Sequence, residues 1–134
     1  MIINLGFYKR RSDLTHEEFS KHWTEVHGPL IRSIPGIEQY LTHYVQHHVV
    51  PDPANPLPFD LDYDGFSEAH FPSIEARDAL FNLPFFQTRV IEDEHKFIDM
   101  ERTRIIVIDE PRTIIRGFVQ TPEVWAGLPG ADTA

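Results

Sequence analysis

The sequence predicts an α+β fold with strands and helices in the order β-α-β-β-α-β, and three observations carry that prediction. Short runs rich in aromatic and β-branched residues, with a period of two, occur at 2–9, 37–49, 63–71 and 102–110. Between the first two, Thr15 and Glu18 form a capping box ahead of apolar residues spaced by three and four. Between the last two, Ser73 opens a helical stretch that Pro84 interrupts before it runs on to about Phe97. The chain has 134 residues and neither an internal repeat nor a linker, so residues 1–110 read as one domain. A core of that size is modest, and association would bury further apolar surface.

In the first strand Ile3, Leu5 and Phe7 alternate with Asn4, Gly6 and Tyr8, so both faces can be covered. The helix that follows presents Phe19, Trp23, Val26, His27 and Leu30 on one face, and Glu17, Ser20, Lys21, Thr24 and Glu25 elsewhere. Gly28 and Pro29 are expected to end it, with glycine in the left-handed cap position, which leaves His27 in the last turn near the negative end of the helix dipole.

The second strand, 37–49 after the Pro35-Gly36 turn, sets Tyr40, Thr42, Tyr44, Gln46 and His48 against Leu41, His43, Val45 and His47. Neither set is strongly apolar, which fits a strand whose faces meet different surroundings. Residues 50–62 hold Pro51, Pro53, Pro56 and Pro58 among carboxylates and are expected to form a mobile rim loop. In the third strand Gly65, Ser67 and Ala69 make one face small, which predicts empty volume under the first helix. The charges EDEHK at 92–96 are expected in solvent, and RTRIIVIDE at 102–110 supplies a buried-type final strand. The element order is the split βαβ, ferredoxin-like unit on an antiparallel sheet. Residues 111–134 are an addition, and Ile114, Ile115, Phe118, Val124 and Trp125 are too apolar for a free tail. An arm packed on the sheet or on a partner subunit is expected.

Twelve basic against twenty-one acidic residues give a net charge of -9, and Lys9, Arg10 and Arg11 are the only basic cluster. Nucleic-acid binding, which needs an extended positive surface, is not expected. The absence of cysteine excludes disulfides and thiolate chemistry and fits a reducing compartment. With no leader pattern and no long apolar run, the expectation is a cytoplasmic protein with no membrane partner.

A histidine on an apolar helix face is more often a hydrogen-bonded core residue than a catalyst. The order of residues around His27 adds to that. A strand ending in Tyr8-Lys9-Arg10, the helix start Leu14-Thr15-x-Glu17-Glu18-Phe19, Trp23, and then His27-Gly28-Pro29-Leu30 resembles the EthD family of dimeric α+β barrel proteins. The resemblance continues more weakly through Pro35-Gly36-Ile37 and Tyr40 to about residue 109. It implies a homodimer whose sheets pack face to face, and a pocket between sheet and helices in each subunit. It also implies that Tyr40 faces that pocket beside His27, so that the two could transfer protons. Tyr8, Phe19, Trp23, Ser67 and Ala69 are the expected binding residues. Ala69 stands where some cofactor-free relatives carry a cysteine, so a thiol mechanism does not transfer.

No metal or cofactor is expected from the histidines. His43 and His47 share a strand face but lie roughly 13 Å apart at the usual rise, while His47 and His48 point to opposite faces. His22 and His27, five apart on a helix, are poorly aligned for chelation. His95, the local candidate for a haem ligand, has charged neighbours.

Two functions follow. One is a small cofactor-independent enzyme acting on a hydrophobic cyclic or aromatic metabolite, as an oxidoreductase, dehydratase or isomerase. The other is a non-catalytic dimeric binding or accessory protein of an oxidative degradation system, which the resemblance permits. A closed pocket that contains both His27 and Tyr40 would favour the first.

Overall fold

The computed structural model describes residues 1–50 and 61–117. Strands β1 (Ile2–Tyr8), β2 (His43–His48), β3 (Gly65–Phe71) and β4 (Arg104–Ile108) form one sheet in the order β2-β3-β1-β4, every pair antiparallel. Two helical runs cross it. The first is α1 (His16–His22), a π-helical segment Trp23–His27 and α2 (Gly28–Arg32). The second is α3 (Ile74–Phe81), a π-helical segment Phe86–Val90 and α4 (Ile91–Phe97). This is the ferredoxin-like α+β arrangement expected from the sequence. Among the described residues no helix is long and apolar enough to cross a membrane.

The capping box forms: the Glu18 amide donates to Thr15 Oγ1 at 3.1 Å, and the Thr15 amide donates to Glu18 Oε1 at 3.0 Å. The first helical run does not stop at Gly28. That residue is right-handed at φ -56, its amide donates to the carbonyl of Trp23 five residues back, and Pro29 sits in the opening turn of α2. A widened turn explains why, since proline at the start of a new helical segment has no bond to break. The left-handed glycine is Gly36, at φ 70. His27 is therefore inside the run and not at its dipole end.

Residues 37–41, expected as strand, instead make a 3₁₀ turn Ile37–Gln39 and an exit loop, with the Leu41 amide donating to Ile37 at 2.9 Å. The Pro-Gly turn leads into another tight turn before the ladder starts at His43. From there the alternation holds: Tyr44, Gln46 and His48 share the helix-facing side with Ala69, Ser67 and Gly65, their cross-strand partners. The loop expected at 50–62 lies for the most part outside the described residues, as does the arm after Gly117. Residues 111–117 are exposed, with Ile114 and Ile115 carrying no cover.

Two apolar clusters join the layers. Phe19, Trp23, Phe97 and Ile98 pack at one end, while Ile31, Ile34, Phe71, Leu80 and Val90 pack at the other. The end of β1 is fastened to the end of α4 by backbone bonds from Arg11 to Phe97 at 3.0 Å and from Asp99 to Lys9 at 2.8 Å. Beside this, the buried Asp64 carboxylate accepts from the Arg10 amide at 2.8 Å, the Arg10 guanidinium at 3.0 Å and His16 Nδ1 at 2.7 Å. Burial pushes the Asp64 carboxyl up, but these donors outweigh it and hold the group below its ordinary range.

Candidate functional site

Between the two clusters lies an apolar cavity of ≈ 80 Å³ measured at the centres of water-sized spheres. A single water needs about 10–15 Å³ by that measure, so the space suits a small organic group. Its polar lining is confined to His27, Tyr8, Tyr44 and Glu94, with the Trp23 indole and aliphatic residues such as Ile31, Leu41 and Val90 around them.

His27 reaches the cavity because the helix widens just before it. In a regular α-helix residues five apart point about 140° away from one another, which is why His22 and His27 look unrelated in sequence. The π-helical turn brings both onto the same side, where they meet one carboxylate from α4. His27 Nδ1 lies 2.8 Å from Asp93 Oδ2, and His22 Nε2 lies 2.9 Å from Asp93 Oδ1. A carboxylate only accepts, so His27 carries its proton on Nδ1 and presents the Nε2 lone pair. Nε2 has no hydrogen-bond partner among the described residues. Phe97 backs both rings at 4.6 and 5.1 Å between centroids. Burial pushes the His27 imidazolium pKa down, and the bond to Asp93 only partly opposes that. The group that opposes burial is Asp93, and not the helix dipole expected from the sequence.

Glu94, the next residue, is the second titratable group of the cavity. Burial, with help from the Asp93 charge, lifts its carboxyl from the ordinary 4.5 to about 7. Asp93 is buried and Glu94 partly so, which corrects the expectation of a solvated 92–96 segment: one turn of α4 faces inward, while Glu92, His95 and Lys96 face out. A run of charges hides that period, since charge and helical face are independent. Tyr8 and Tyr44 both have pKa values raised by burial, so they are neutral donors. The Tyr8 hydroxyl is 3.1 Å from Ser67 Oγ.

Of the residues singled out in the sequence, His27, Trp23 and Tyr8 line the cavity. Ser67 supports it through Tyr8. Phe19 is fully buried behind Trp23 at 5.5 Å between ring centroids, and Ala69 packs against the Ile31 cluster. The volume expected over the small face of β3 is filled in part by Trp23, since a Cβ on Gly65 would come within 2.6 Å of the indole. Tyr40 packs on the Ile31 cluster and is not among the cavity-lining residues. The resemblance placed it beside His27, and the strand alternation that grouped it with Tyr44 applies only from His43 onward. Asp93, Glu94 and Tyr44 escaped the sequence reading; Tyr44 was already on the correct strand face.

The fold has many solved relatives. An EthD family protein from Bacillus halodurans is 19% identical, with a TM-score of 0.61, covering 83% of this chain and 99% of its own. A DABB family protein with a ferredoxin-like fold from Mesorhizobium loti is 14% identical at a TM-score of 0.60, covering 83% and 97%. A dimeric ferredoxin-like protein of unknown function from Bacteroides fragilis is 10% identical at 0.53, covering 81% and 95%. No curated protein matches the sequence. The family model described as the EthD domain matches residues 11–101, a span that includes α1, His27 and the Asp93-Glu94 turn, and the chain belongs to the EthD family.

Proposed function

We propose that the protein is a small cofactor-independent enzyme that moves protons on a hydrophobic cyclic or aromatic molecule, with His27 as the base. The observation that carries this reading is the His27 ring itself: Nδ1 is fixed by Asp93 at 2.8 Å while the ring borders an apolar cavity. A purely structural histidine would have both nitrogens satisfied. In the proposed reaction Nε2 takes a proton from a carbon or hydroxyl of the bound molecule, and Asp93 stabilises the imidazolium that forms. Glu94, near half-protonated at neutral pH, returns a proton elsewhere on the molecule. The phenols of Tyr8 and Tyr44 orient a substrate oxygen, and the proton transfer that the sequence reading shared between His27 and Tyr40 is here shared between His27 and Glu94. The net change is a proton shift, and it becomes a dehydration where the protonated oxygen leaves as water.

We further propose that the working unit is a homodimer. Support comes from Ile105, Ile106 and Val107 on β4, each about half exposed, from the uncovered Ile114 and Ile115, and from the dimeric relative of the same fold. The exposed residues 111–117 are then covered by the sheet or by the partner subunit.

The test is hydrogen–deuterium exchange by NMR on a panel of cyclic ketones and phenols in heavy water. Wild type is expected to accelerate exchange at carbon for at least one member, and His27→Gln to slow it by about 10²- to 10⁴-fold. Binding of panel members with no exchange by the wild type would replace catalysis with the binding and accessory role.

A further inference from the structure

The sheet face turned away from the cavity carries a second cluster of functional groups. The alternation that sends Gly65, Ser67 and Ala69 to the helices sends Phe66, Glu68 and His70 the other way, beside His47, Val45 and His43 of β2. His43 is paired directly with His70, and their rings lie 4.9 Å apart, edge to face. One ligand atom each from His43, Glu68 and His70 falls within 4.8 Å of the others. The spacing along β2 alone could not give such a set, because His43 and His47 are too far apart. The register with β3 supplies it.

We infer that His43, Glu68 and His70 bind a zinc ion. Two imidazoles and a carboxylate are a donor set that zinc takes in tetrahedral sites with its fourth position open to water. Imidazole favours zinc and its neighbours over magnesium or calcium, which take oxygen ligands. The side chains need only a small adjustment. Glu68 Oε2 lies 2.6 Å from His70 Nε2 in a hydrogen bond, which an ion would replace by opening the two atoms to about 3.3 Å, the separation of tetrahedral ligands about 2 Å from zinc, and His43 is exposed in the single chain. Glu68 has an outer partner as well: His47 Nε2 is 3.0 Å from Oε1, and the His47 ring is stacked on Phe66 at 4.3 Å. A hydrogen-bonded carboxylate ligand of this kind is held in orientation before the metal arrives. The acidic chain, at -9, adds a field that favours a cation.

The site is across the sheet from His27, so its occupation is independent of the chemistry proposed there. The full chain, stripped with chelator and dialysed, is titrated with zinc chloride by calorimetry and by thermal unfolding. The expected result is one zinc per protomer at micromolar affinity and a raised Tm that magnesium chloride does not reproduce. His43→Ala, at a position exposed in the single chain, and His70→Ala are expected to abolish both effects. His47→Ala should weaken binding about tenfold or more by freeing Glu68, and His95→Ala, on the far side of the molecule, should change nothing. Absence of a saturable heat with zinc, or a wild-type affinity retained by both His43→Ala and His70→Ala, would overturn the assignment.

Discussion

Burial without a hydrogen-bond partner among the described residues lifts the Glu94 carboxyl from 4.5 to about 7. The native state therefore holds a proton that the unfolded chain has released, and stability falls as pH rises from about 4.5 to 7, then levels off. At 1.36 kcal/mol per unit the loss is of the order of 3 kcal/mol. His27 works in the opposite sense. Its pKa is lowered on folding, so its contribution is present above the unfolded value and is lost as pH falls below it. Comparing Glu94→Gln with wild type isolates the carboxyl. Urea unfolding at pH 5 and pH 8 is expected to show the variant gaining on wild type at the higher pH, and an equal difference at both would contradict the assignment. The same substitution should flatten the alkaline limb of any pH–rate profile. None of this was legible in Glu92-Asp-Glu-His-Lys96, because a charged residue's fate depends on whether its turn faces the sheet. His27 was legible because its neighbours on the helix face, Phe19 and Trp23, are unmistakably core residues.

Among the elements, those with local signals were readable. The Thr15–Glu18 box fixed the start of α1 to the residue, and Ser73 did the same for α3, accepting from the Ala76 amide at 3.1 Å. Removing the first of these should matter modestly: Thr15→Ala is expected to lower stability by about 1 kcal/mol in chemical denaturation. A change no greater than that of an exposed control such as Glu17→Ala would mean that the packing of Phe19 alone holds the start. The helix ends were less readable, since Gly28-Pro29 is compatible both with a stop and with a widened turn that continues. What decides is the acceptor five residues back, the Trp23 carbonyl. It also takes the Gln46 side-chain amide at 2.8 Å, a contact between helix and strand that sequence order does not reveal.

At the scale of the whole molecule, β4 is the edge of the sheet and carries isoleucines and valine on both faces with about half of their area in water. Exposed apolar edges invite association, and scattering at micromolar concentration is expected to return twice the 15.6 kDa chain mass. A monodisperse particle of single-chain mass would end the dimer proposal. Replacing Ile106 with Lys should shift the equilibrium toward monomer while leaving the His27–Asp93 pair on the far side of the sheet intact.

The paired π-helical segments, Trp23–His27 and Phe86–Val90, set a numerical condition on the chain. Each holds one residue more than a plain α-helix would use to cover the same length, and each ends at a cavity-lining position, His27 or Val90. Deleting a single residue such as Thr24 would let the run relax into ordinary α-helix, in which His22 and His27 become four apart and stay about 40° from one another. Forcing all of its residues into ordinary α-helix would instead set His27 about 140° from His22 and take it away from Asp93. The chemistry proposed here thus depends on the extra residue and the widened turn occurring together, and a chain of this fold that loses both at once keeps the two histidines on one side of the helix.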